Sequence, residues 1–109
     1  MLGGASEIMP ADAQIQAICD GVRAEAQGKA QASGWDGVFT AFEAHSYRRQ
    51  VVAGTNYFVK VQTSQGPEES SFCHLRVYQP LPHTGAGPGI AAIQVGCAAD
   101  TPLEHFEAE

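Results

Sequence analysis

The spacing of apolar residues changes period once along this chain, and that switch limits what it can fold into. Ile15, Ile18, Cys19, Val22 and Ala26 recur at three- and four-residue steps, which is one face of a helix. Downstream the period is two. Tyr57, Val59 and Val61 alternate with Asn56, Phe58 and Lys60, and Cys73, Leu75 and Val77 alternate with Phe72, His74 and Arg76. One helix followed by alternating strands predicts an α+β fold, with an antiparallel sheet laid over the helix's apolar face. The length of 109 residues suits a single domain that buries roughly 60–70% of its unfolded surface.

The boundaries follow from the same pattern. Residues 1–10, with Gly3, Gly4 and Pro10, read as an extended arm. A helix over 12–33 starts at Asp12, whose carboxylate can accept from free backbone N–H groups, and ends near Ser33-Gly34. Asp20, Arg23, Glu25 and Gln27 lie off the apolar face and are expected to meet water. Sheet and tail occupy 38–109, with strands expected over 38–51, 55–63, 71–78 and 90–97. The helix is about 30 Å long at 1.5 Å per residue, so a sheet that covers it must curve. The last ten residues form an acidic tail with Phe106 as its large apolar anchor.

Composition narrows the function. The net charge is -6 with only six Lys and Arg, which disfavours a phosphate backbone or an anionic membrane as partner. No stretch approaches the roughly 20 apolar residues of a membrane span. The start of the chain carries no basic stretch and no apolar run of signal-peptide length. Cys19, Cys73 and Cys97 are odd in number and show no C-x-x-C spacing, so they read as reduced thiols in the cytoplasm.

The chain offers no catalytic or cofactor pattern. No local motif surrounds any cysteine, so a thiol enzyme is not expected. Cys73 and His74 are adjacent and point to opposite faces of a strand, while His45, His83 and His105 lack ligand spacing, so no metal is expected. The glycine-rich run 84–89 has no G-K-[ST], so no phosphate-binding loop and no cofactor are expected.

The informative segment is 50–61, Q-V-V-A-G-T-N-Y-F-V-K-V. Gly54 can supply a positive φ or a close backbone approach at a hairpin bend. Val51 and Val52 sit at the bend, where a turn is normally polar. They are either an exposed apolar tip meant for a partner or a buried corner of the sheet. The residues alone leave both readings open.

Gln50-Val51-Val52-Ala53-Gly54 followed by Thr55-Asn56-Tyr57-Phe58-Val59-Lys60-Val61 resembles the stefins, the intracellular type 1 branch of the cystatin superfamily. So do Gly3-Gly4 ahead of Pro10-Ala11, Gln14-Ile15-Gln16, Val22-Arg23, Phe42-Glu43-Ala44, His74-Leu75-Arg76-Val77 and Leu81-Pro82-His83. The resemblance covers about residues 1–83 and weakens over 84–109. It implies a cystatin-like fold, in which one long N-terminal helix is wrapped by a curved antiparallel sheet of four to five strands. It also implies reversible competitive inhibition of papain-like cysteine proteases such as cathepsins, with no catalytic residue or cofactor. Three segments would form a wedge along one edge and enter the protease cleft: Leu2, Gly3 and Gly4; Gln50, Val51, Val52, Ala53 and Gly54; and Leu81, Pro82 and His83.

Two departures stand out. The stretch 30–36 is longer than the usual stefin connection, and 84–89 is unusually rich in glycine. A monomer is expected. The alternative is a non-inhibitory interaction module that self-associates by hairpin exchange, as a domain-swapped dimer, because Val51-Val52-Ala53 could serve as its hinge.

Overall fold

The computed structural model describes residues 7–34, 39–63, 72–81, 85–98 and 100–103. Among these residues are one helix, α1 (Ala13–Ala32), and five strands: β1 (Met9–Pro10) before the helix, then β2 (Glu43–Val52), β3 (Gly54–Gln62), β4 (Phe72–Gln79) and β5 (Gly89–Cys97). The sheet has the order β1-β2-β3-β4-β5, and every neighbouring pair is antiparallel. This is the α+β arrangement that the period switch predicts.

The helix begins where its capping residue sits. Asp12 is extended, and its carboxylate accepts from the Ile15 backbone N–H at 2.9 Å. At the far end the Ser33 N–H bonds back to the Lys29 and Ala30 carbonyls, and Gly34 turns the chain away with φ +100. Residues 30–32, counted above as part of a long connection, continue the helix, and Ala30 is fully buried.

Ile15, Cys19, Val22, Ala26 and Ala30 pack on Tyr57, Val59, Val61, Cys73, Leu75 and Val77, and Ile18 is partly buried beside them. Helix period and strand period thus meet across one dry layer. Burying a large aliphatic side chain stabilises by about 1.5–3 kcal/mol, so this layer, rather than helix propensity, holds α1 in place.

One expectation holds and is extended, and another needs correction. Arg23 and Glu25 face water as expected, Gln27 is half-buried, and all three also bond to distant backbone. Arg23 donates to the Phe39 carbonyl at 2.8 Å, Gln27 accepts from the Phe39 N–H at 2.9 Å, and Glu25 accepts from the Ile90 N–H at 3.0 Å. Gln16 does the same, donating to Phe42 O and accepting from Ala44 N–H, both at 2.8 Å. Segment 39–42, expected within the first long strand, is therefore not strand. Its backbone groups bond to helix side chains, and Thr40 and Ala41 N–H reach Thr63 O.

The far face of the sheet is also covered. Phe58, Phe72 and His74 alternate away from the helix, yet all three are buried. The Arg76 guanidinium lies 5.8 Å over the Phe58 ring, and His45 meets Phe72 edge-on at 5.1 Å. In the tail, the buried apolar residue among those described is Leu103, and it lies outside the helix-side cluster. Phe106, the expected anchor, falls outside the described residues.

Candidate functional site

The candidate site is the β2–β3 hairpin and the chain that leaves β4. Val51 pairs with Thr55 and Val52 with Gly54, so Ala53 alone makes the bend. A one-residue bend demands an unusual conformation, and Gly54 supplies it with φ +114. It also supplies room. A Cβ at Gly54 would stand 2.6 Å from the Gln79 carbonyl oxygen and 2.7 Å from the Tyr78 hydroxyl oxygen. Both roles anticipated for Gly54 are present together.

Exposure decides between tip and corner. Val51 is 68% exposed and Val52 44%, so the bend is an apolar tip and not a buried corner. Among the described residues, the other large apolar side chains left exposed are Ile8 and Leu81, at 50% and 40%. Leu81 follows β4, whose Gln79 pairs with Thr55, and it lines one shallow hollow with Gly54, Thr55, Ile18 and Gln14. Ile8 precedes Met9, which pairs with Tyr47 in antiparallel register, so Ile8 lies on the tip side of Met9. Apolar groups from the arm, the hairpin and the chain after β4 thus share one end of the sheet. Ile8 was not anticipated.

Gln50 departs from its expected place at the contact surface. Its side chain is 5% exposed and accepts from the Asn56 amide at 2.9 Å, so it braces the hairpin from behind. Ala53 is exposed at the bend. Leu2, Gly3, Gly4, Pro82 and His83 lie outside the described residues.

A profile of the cystatin domain matches residues 3–86. The chain belongs to the cystatin family. Cystatin-B of Pan troglodytes is 41% identical over 106 residues, which is 97% of this chain and 99% of the relative. Cystatin-B of Homo sapiens is 38% identical over 106 residues, with the same coverage of both chains. Stefin-C of Bos taurus is 36% identical over 105 residues, covering 96% of this chain and 95% of its own. The likeness therefore reaches well past residue 83, and it puts this cystatin in the stefin branch, among cysteine protease inhibitors.

The chemistry of this cystatin fits a binding role. No charged residue lies between Arg49 and Lys60, so the tip can be dehydrated without stranding a charge. All three thiols are buried and free. Burial, aided by the nearby Asp20 carboxylate, pushes Cys19 up to about 12, and burial raises Cys73 and Cys97 as well. Thiols held protonated in this way are poor nucleophiles. Among the described residues no helix is long and apolar enough to cross a membrane, and no group of three His, Cys, Asp or Glu could hold a metal.

Proposed function

We propose that this chain is a reversible, competitive inhibitor of papain-like cysteine proteases, cathepsins among them, acting in the cytoplasm as a monomer. The observation that carries the proposal is the apolar end of the sheet, where Val51 and Val52 at the hairpin bend and Leu81 just after the neighbouring β4 all stand exposed. Val51, Val52, Ala53 and Gly54 enter the centre and primed side of the cleft. Leu81, Pro82 and His83 make a second contact. Leu2, Gly3 and Gly4 occupy the unprimed subsites, and the register of β1, which puts the residue before Met9 on the tip side, supports that placement. Gly4 lacks a side chain, so the backbone can bend past the reactive thiol.

Small apolar groups on a pre-formed hairpin suit a narrow cleft, because they lose water on binding and little conformational freedom. Inhibition follows from occupancy alone. The wedge fills the cleft without aligning a scissile bond with the thiolate, so no group on the inhibitor has to react.

Papain activity measured against the purified chain tests this. The chain inhibits competitively and reversibly; papain unaffected at micromolar inhibitor rejects the proposal. Val52→Asp forces a charge toward a dry cleft and weakens inhibition by about a hundredfold, a few kcal/mol, with the melting temperature unchanged. Removing residues 1–4 weakens it mainly through faster dissociation.

A further inference from the structure

The bend residue Ala53 has no partner across the hairpin, because the ladder closes with Val52 opposite Gly54. Its carbonyl is nevertheless held. The Tyr78 hydroxyl, on the strand beyond β3, donates to the Ala53 carbonyl oxygen. Tyr78 lies opposite Asn56 in the β3–β4 register, two residues into β3 from Gly54. The phenol ring spans that distance only because Gly54 carries no side chain: a Cβ there would meet the ring carbon Cε1 at 2.9 Å and the hydroxyl oxygen at 2.7 Å. Gly54 and Tyr78 are therefore complementary, the one vacating the space that the other fills.

From this geometry we infer that Tyr78 is a positioning residue for inhibition, a clasp that fixes the hairpin tip in the form presented to a protease. The inference rests on the inhibitor reading above and goes further by naming what holds the tip. Tyr78 is half-buried beside the tip rather than one of its exposed apolar residues. It acts through Ala53. It also stands immediately before Gln79-Pro80-Leu81, so one hydroxyl ties the hairpin bend to the strand that delivers Leu81. A tip with both loops already in register spends less conformational entropy on binding, and the gain appears as slower dissociation.

The variant Tyr78→Phe keeps the ring and removes only the hydroxyl. Three readouts are compared with the parent: amide hydrogen exchange over residues 51–55 in the free protein, the Ala53 carbonyl carbon resonance, and association and dissociation rates with papain. Tip exchange accelerates by about three- to tenfold, the range for one neutral hydrogen bond, and exchange at Val59 and Leu75 stays at the parent rate. The Ala53 resonance shifts, and dissociation from papain quickens by a similar factor with association nearly unchanged. Unaltered tip exchange and an unmoved Ala53 resonance overturn the clasp. Faster tip exchange with an unchanged dissociation rate overturns its role in inhibition. A parent chain that leaves papain unaffected sinks the inhibitor reading instead, and the exchange and resonance measurements still decide whether the clasp exists.

Discussion

Gln50 and Asn56 stand opposite each other at the base of the tip hairpin, and their side-chain amides join at 2.9 Å while both are buried. A buried amide is costly to leave unpaired, so this bond specifies the register that puts Val51 and Val52 at the bend. Asn56→Ala removes the donor and is expected to cost about 1–3 kcal/mol in urea unfolding. Replacing both residues by apolar ones of similar size, Gln50→Met with Asn56→Leu, costs less than the sum of the two single changes. Strict additivity would show that the bond does not matter.

Gly54 and Gly34 both have positive φ, +114 and +100, but only Gly54 is crowded. Alanine at Gly34 meets nothing within 4 Å and carries backbone strain alone. Alanine at Gly54 adds a clash with the Gln79 carbonyl, which is backbone and cannot swing aside. Gly34→Ala is expected to lower stability by about 1 kcal/mol and leave papain inhibition intact. Gly54→Ala costs about 1–3 kcal/mol more and weakens inhibition too. Equal melting temperatures for the two variants would refute the crowding argument.

Acid should weaken the fold through His74. The ring is 1% exposed, its Nε2 has no hydrogen-bond partner among the described residues, and burial with the nearby Lys60 charge lowers its pKa from 6.5 to about 4, against a smaller upward pull from a hydrogen bond with Gln94. As pH falls, the unfolded chain takes up this proton before the folded one does. The contribution is complete above about pH 6.5 and is lost between there and about pH 4, up to about 3 kcal/mol. Urea unfolding across that window should show a shallower pH slope for His74→Gln than for the parent. Identical slopes would place the titrating group elsewhere.

The three thiols should be silent in the native state. Cys19 is pushed up to about 12 and all three are buried, so Ellman's reagent at about pH 8 reacts slowly until guanidinium opens the fold, and then with three equivalents. A thiol titrating quickly in the native chain would mean that one of the three reaches solvent.

Some of this was legible in the residues. Ile15 to Ala26 at helical spacing and Tyr57 to Val61 at strand spacing are local signals, and they marked both faces of the main core. Asp12 was readable as a cap because its partner is only three residues away. Arg23 and Glu25 face water as their spacing predicts, but the bonds that they and Gln27 make to Phe39 and Ile90 were hidden, because those partners lie 12 to 65 residues distant. The burial of Phe58 and His74 was hidden for a related reason: alternation separates the two faces of a strand but does not say whether the second face is covered.

The sequence by itself determined the helix, the strand alternation and the need for glycine at position 54, since each follows from local sterics and periodicity. Its likeness to the stefins named the family and the kind of partner. Only the tertiary structure decided that Val51 and Val52 face solvent, that Gln50 turns inward, and that the Tyr78 hydroxyl holds Ala53. The last of these depends on how β4 docks beside β3. Tyr78 lies 25 residues from Ala53, and no local preference can specify a contact made across another strand.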